Sequence, residues 1–202
     1  GLTAAELNYP DHFVDISKNE LKETLEATAM TLNGVAMRYY VNNNFKLGAF
    51  TNPARTVRRI AIDETKKGID TLSSLGGKMM TLWLGQDGVD YSFQAEYSSI
   101  WDWTIEAIIE VADHNPEIDI SLEYKPNEPR GFSLMPDAST TLLALKEIAR
   151  ENTGVTLDFA HMLYADELPA FSANLISRHS RILGVHLNDG YGKWDNGLMA
   201  GS

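Results

Sequence analysis

Along the chain, two patterns of apolar and polar positions take turns. Short apolar, β-prone runs at 3–8, 34–40, 79–84, 118–124, 154–159 and 182–188 predict strands. Most of them lack strict polar/apolar alternation, as expected of strands covered on both faces. Helical spacing fills the intervals. Ser17 and Glu20 make a capping box ahead of Leu21, Leu25 and Ala29 on one face. Asn52-Pro53 predicts an N-cap and a proline in the first turn of a long helix. Val57, Ile60, Ile69, Leu72 and Leu75 form its apolar stripe, and Gly76-Gly77 ends it. Trp101, Ile105, Ile108, Ile109 and Ala112 mark the next helix; Asp137 caps another carrying Leu142, Leu145, Ile148 and Ala149.

Strand and helix in regular succession predict a parallel α/β architecture of about six β/α units. No shift in composition breaks residues 1–202, so one domain is expected. A closed TIM (β/α)8 barrel needs eight units in roughly 250 residues. The expected fold is therefore a truncated TIM barrel lacking its first and last strands. The rival, an open doubly wound sheet, would carry a G-x-G-x-x-G turn after its first strand, and none is present. With no initiating Met and no signal-peptide pattern, the first residues read as the interior of something longer.

Composition narrows the chemistry. A net charge of -11, from 28 acidic and 17 basic residues, repels phosphate backbones and argues against a nucleic-acid partner. No apolar run approaches the roughly 20 residues that cross a bilayer, and a cytoplasmic location is the default expectation. The absence of cysteine excludes disulfides and thiolate metal sites. Any metal must use carboxylate and imidazole, a set suited to manganese, magnesium, cobalt or zinc.

The polar residues that stand out close the predicted strands, where a β/α barrel gathers its functional groups. Glu123 ends Ile-Asp-Ile-Ser-Leu-Glu, Asp158 ends Gly-Val-Thr-Leu-Asp, and His186 ends Ile-Leu-Gly-Val-His. Each alone has a plain reading as an ion pair, a helix cap or a core histidine. Together, on successive strands and at one end, they point to a divalent cation that lets two buried carboxylates stay ionised.

Their spacings of 35 and 28 residues resemble the Glu/Asp/His ligand series of the xylose-isomerase-like barrel superfamily of sugar isomerases and epimerases. Four segments carry the likeness over roughly residues 45–202. They are Thr81-Leu-Trp-Leu-Gly-Gln-Asp-Gly88, Glu123-Tyr-Lys-Pro-Asn-Glu-Pro129, Leu157-Asp-Phe-Ala-His161 and His186-Leu-Asn-Asp-Gly-Tyr-Gly-Lys-Trp-Asp195. They are similar both to the L-rhamnose isomerase branch and to the α subunits of C-glycoside deglycosidases, which are lyases.

The resemblance implies a first metal, most commonly manganese, on Glu123, Asp158 and His186, with His161 and Asp195 approaching a second, catalytic ion. Lys125 would bond a substrate oxygen or a ligand carboxylate, and Trp83 would wall the sugar. His161, Asp195 or a carboxylate beyond this chain would act as the base. The implied reactions are aldose–ketose isomerisation or epimerisation of a monosaccharide, or elimination from a 3-oxo glycoside. An inactive barrel subunit, its edges covered by a partner or by copies of itself, is the non-catalytic alternative.

Two departures from the family pattern stand out. The superfamily's fourth carboxylate ligand belongs to a last strand absent from this sequence. No histidine ends the early run Met37-Arg-Tyr-Tyr40, while His12 follows the first.

Overall fold

The computed structural model describes residues 1–192, 195 and 197–202; Lys193 and Trp194 of the fourth segment, and Asn196, lie outside the described residues. Six parallel strands form one sheet in sequence order: β1 (Ala4–Tyr9), β2 (Thr31–Met37), β3 (Met79–Trp83), β4 (Asp119–Glu123), β5 (Thr153–Asp158) and β6 (Ile182–His186). The connecting helices are α1 (Lys18–Ala27), α2 (Arg55–Ser74), α3 (Tyr97–His114), α4 (Ala138–Ile148), α5 (Phe159–Tyr164) and α6 (Pro169–His179). None of the described helices is long and apolar enough to cross a membrane.

Strand register explains the missing polar/apolar alternation. Glu6 pairs with Gly34, Asn8 with Ala36, Thr81 with Ser121, Trp83 with Glu123, and Asp158 with His186. In-register partners share a face, so one face carries small or polar side chains: Gly34, Ala36, Thr81, Ser121, Gly154, Thr156 and Gly184. The other presents Val35, Met37, Met80, Leu82, Ile120, Leu122, Val155 and Leu157 to the helices, and all of these are buried. The alternation is of size as much as of polarity.

Small inner residues let the sheet curl into a half-barrel. Met79 on β3 fills the floor: its Cε lies 3.3 Å from where a Cβ on Gly34 would stand and 3.5 Å from the same point on Gly184 of β6. At the top, His186 Nε2 on β6 comes within 3.6 Å of Glu6 Oε2 on β1. The two edge strands thus face each other across the interior. Outside, Ile69 and Leu72 of α2, Ile108 and Val111 of α3, and Ile148 of α4 bury completely against the sheet. Gly68 allows α2 its close approach, since a Cβ there would meet Met80 Cε at 2.9 Å and Tyr9 Cδ1 at 3.2 Å.

The Ser17/Glu20 capping box and the Asp137 cap both form, the latter accepting from Thr140 N at 2.7 Å. Other expectations need correction. The second strand stops at Met37, because Tyr39–Val41 turns into a 3-10 helix. Helix α2 begins at Arg55, with Ala54 as N-cap, not at Asn52-Pro53. Asn52 is instead buried in the preceding loop, where its side chain donates to Gly48 O at 2.8 Å and accepts from Ala54 N at 3.0 Å. Ile60, placed on the apolar stripe, is 39 % exposed. Helices α5 and α6 were not predicted, although Pro169 in the first turn and buried Ile176 are the ordinary signals for α6.

Loops after β3 and β4 tie down the mouth. Gly88–Val89 pairs antiparallel with Phe132–Ser133. Buried Arg130 bonds Asp90 at 3.0 Å and Gln86 O at 3.2 Å. Asp87 is fully buried; its Oδ1 accepts from Ala49 N, Thr51 N and Thr51 Oγ1 at 3.0, 2.6 and 2.8 Å, while its Oδ2 has no partner. Burial pushes this carboxyl up to about 6, against the opposing pull of those donors.

A raised carboxyl retains its proton in the folded state while the unfolded chain releases it. The stabilisation this gives is complete below the ordinary 3.8 and lost as pH rises through about 6. Relative to Asp87→Asn, the wild type should therefore lose about 2–3 kcal/mol of unfolding free energy between pH 4 and pH 7. Urea unfolding of both proteins across that range measures it. A constant difference would contradict the buried, protonated carboxyl.

Candidate functional site

At the C-terminal end of the sheet lies a cavity of about 540 Å³, walled by Glu6, Asn8, Arg38, Tyr40, Trp83, Glu123, Asp158, His161, His186, Asn188 and Asp195. A volume of this size falls in the range of small-molecule sites. Strand register brings its centre together. Glu123 stands level with Thr156, two residues before Asp158, and Asp158 stands level with His186, so all three point inward.

Local structure then adds a second histidine. Asp158 is also the N-cap of α5, its Oδ1 accepting from His161 N at 3.0 Å. One turn of helix folds the His161 ring back over the strand ends. Its Nδ1 lies 3.5 Å from Glu123 Oε1 and 3.9 Å from Asp158 Oδ1, and it is buried without a hydrogen-bond partner among the described residues. Glu123, Asp158 and His161 each offer a ligand atom within 4.8 Å of the others, the one such grouping among the described residues.

The side chains of both carboxylates are 8 % exposed. Two anions so placed need a compensating charge. An imidazole nitrogen and two carboxylates converging on a shared gap, with the nitrogen orphaned, fit a divalent ion held at about 2 Å from each donor. Asn188 fixes the orientation of Asp158 by donating Nδ2 to both oxygens at 3.0 Å, and its Oδ1 accepts from Ala160 N at 2.8 Å.

His186 approaches from the β6 side. Its Nδ1 lies 3.3 Å from Glu123 Oε1 and 3.8 Å from Asp158 Oδ2, with Glu6 beyond its Nε2. Glu123 first, then Glu6, raises the imidazole to about 10. Where the sequence assigned His186 to the first ion and His161 to a second, the structure gathers both around the same two carboxylates.

Asp195 is reached through His161, whose Nε2 is 3.5 Å from Asp195 Oδ2. Lys125, buried, donates to that oxygen at 2.9 Å and stands 3.3 Å from Glu128 Oε2. His161, followed by Lys125, holds the Asp195 carboxyl well below the usual range. Trp83 lines the cavity, edge-on to Tyr40 with centroids 5.3 Å apart, and Lys125 Nζ stands 5.4 Å from its ring centre. Away from the cavity, Trp101 Nε1 donates to Glu147 and Trp103 lies under the Arg58 guanidinium.

Sequence reasoning did not single out Glu6, Asn8, Arg38, Tyr40 or Asn188. Glu6 and Asn8 carried a usable signal, since polar residues two apart in a strand point to one face. Arg38 and Tyr40 carried the same signal, being two apart in the run 34–40 read as a strand.

Comparison with known proteins adds three findings. The family model for the xylose isomerase-like TIM barrel matches residues 1–202. A xylose isomerase of Thermus thermophilus is 30 % identical over 145 residues, which are 69 % of this chain and 38 % of that protein. The chain therefore spans well under half the length of that relative. Among solved structures, a D-tagatose 3-epimerase-like protein superposes with a TM-score of 0.79 at 20 % identity, over 98 % of this chain and 71 % of its own. The IOLI protein with a bound zinc atom gives 0.71 at 16 %, over 96 % and 66 %. At these identities the two superpositions establish the fold.

In chelator-treated protein, removing the largest influence on His186 should lower its pKa. Glu123→Gln is expected to drop the His186 imidazole from about 10 by about 1–3 units, read by an NMR titration of its ring protons. An unchanged titration would mean that the Glu123–His186 contact does not persist in solution.

Proposed function

Because the chain belongs to the xylose isomerase-like TIM barrel family, we propose that it carries the centre of a divalent-metal-dependent sugar isomerase or epimerase. The observation that carries this reading is the buried, partnerless His161 Nδ1 facing Glu123 and Asp158. We assign Glu123, Asp158 and His161 as metal ligands, with His186 completing the set from β6. Manganese is the expected ion, with cobalt, magnesium or zinc as alternatives compatible with the same donors.

A divalent ion bound there supplies Lewis-acid polarisation of a substrate carbonyl, which acidifies the neighbouring C–H. The protein's own groups do the rest. Trp83 and Tyr40 offer an apolar wall for the carbon face of a sugar. Lys125 places a cation beside the cavity, where it can stabilise negative charge on a substrate oxygen. Asp195, held ionised by its His161 and Lys125 neighbours and so only a weak base, faces His161 Nε2 and steadies that ring beside the cavity. Asn188 keeps Asp158 aimed at the ion. The substrate class is a small sugar or glycoside, and the expected assembly is a homo-oligomer or a complex with a partner subunit.

Protein purified without chelator should contain close to one equivalent of metal, lost in the Glu123→Gln, Asp158→Asn double variant, by elemental analysis. Asn188→Ala should weaken metal binding by about 10–100-fold without removing it, measured by competition with a chromogenic chelator. With metal confirmed, NMR monitoring of free ketoses beside a 3-oxo C-glycoside separates isomerase or epimerase from lyase. Absence of metal after adding manganese would sink the enzyme reading.

A further inference from the structure

Arg38 lines the cavity and Lys125 stands beside it, and the two are in different situations. Lys125 is occupied by Asp195 at 2.9 Å and Glu128 at 3.3 Å. Arg38, the first residue beyond β2, makes no side-chain hydrogen bond to any described residue. Its Nε is buried and partnerless; Asp11 Oδ2, at 3.7 Å from that nitrogen, lies beyond hydrogen-bond reach. The guanidinium is not loose. It lies over the Tyr40 ring, 4.4 Å from its centre, and Tyr40 in turn abuts Trp83. A planar fork of donors is thus held in place on the cavity wall, where among the described residues it has Asp11 as an ion-pair neighbour and no hydrogen-bonded acceptor.

Its position matters too. Glu123 sits on β4 and Arg38 follows β2, two strand intervals apart, roughly 10 Å along the sheet. A five- or six-carbon open chain with its carbonyl at the Glu123–Asp158–His161 cluster has its other end in the direction of Arg38. The lining also holds four carboxylates, Glu6, Glu123, Asp158 and Asp195, with His161 and His186 engaged among them, so Arg38 is the cation of the lining placed to receive an anionic group. Arginine's fork matches carboxylate and phosphate oxygens in a way that sugar hydroxyls do not require.

We propose that Arg38 is a specificity-determining residue that binds an acidic group, a carboxylate or a phosphate ester, at the end of the sugar farthest from its reacting carbonyl. This rests on the sugar-isomerase reading above and narrows it to acidic sugars.

D-Fructose, D-fructose 6-phosphate and D-fructuronate share C1 to C5 and differ at C6, so they isolate the effect of the terminal group. Calorimetric binding to manganese-loaded wild type, Arg38→Gln and Arg38→Lys tests the assignment. In the wild type at least one acidic ketose should bind about 10-fold or more tighter than fructose, and which one identifies the group. Arg38→Gln should weaken binding of the preferred acidic ketose by about 10-fold more than it weakens fructose, which erases the preference, and Arg38→Lys should retain part of it. Equal binding of all three by the wild type, no binding of either acidic ketose, or a preference that survives in Arg38→Gln would overturn the proposal. Turnover is followed separately by NMR. A protein that binds acidic ketoses through Arg38 but converts none keeps the anion site and loses the isomerase reading.

Discussion

The site depends on two carboxylates, Glu123 and Asp158, brought side by side where the interior of a curled parallel sheet opens. Neither can be moved away, because each ends a strand whose register is locked by its neighbours. Neither is well solvated, since both side chains are 8 % exposed. Burying like charges together is unfavourable unless cations compensate. The surroundings read as an answer to that constraint. His186 leans in from β6, His161 returns from α5, and Asn188 donates to both oxygens of Asp158.

The same constraint extends outward through shared partners. His161 touches the carboxylates with one nitrogen and Asp195 with the other, and Asp195 is held by Lys125. A change at the centre is therefore felt at the cavity rim through two side chains. On the far side Glu6 closes the arc by facing His186. Glu6 and His186 belong to the two edge strands, so curvature of the sheet and composition of the site are one fact.

Curvature comes from the inner face. Gly34, Gly154 and Gly184 each leave space that a side chain would fill. A Cβ on Gly154 would stand 2.7 Å from Arg181 O, and one on Gly184 2.9 Å from Thr156 Oγ1. Bulk is moved to the outer face, where leucine, isoleucine and valine meet the helices. The loops that frame the mouth are held independently, by Asp87 beneath the Ala49–Thr51 segment and by Arg130 between Lys46 and Asp90.

The sequence by itself determined the order of the six strands, the four helices before the fifth of them, and the parallel sheet, and it placed Glu123, Asp158 and His186 at strand ends. Local patterns report these directly: Glu123, Asp158 and His186 each close an apolar run. It could not decide which histidine joins which carboxylate, because that depends on Asp158 serving as both strand end and helix cap, which swings His161 back by one turn. Nor could it bring Glu6 or Arg38 to the cavity. Glu6 is 180 residues from His186, and only the curl of the sheet makes them neighbours. Arg38 follows Gly34 and Ala36 on the inner face, and only the curl of the sheet turns that face into a cavity wall. Which side chains close the strands was written in local pattern; how they face one another was written in the curvature of the sheet.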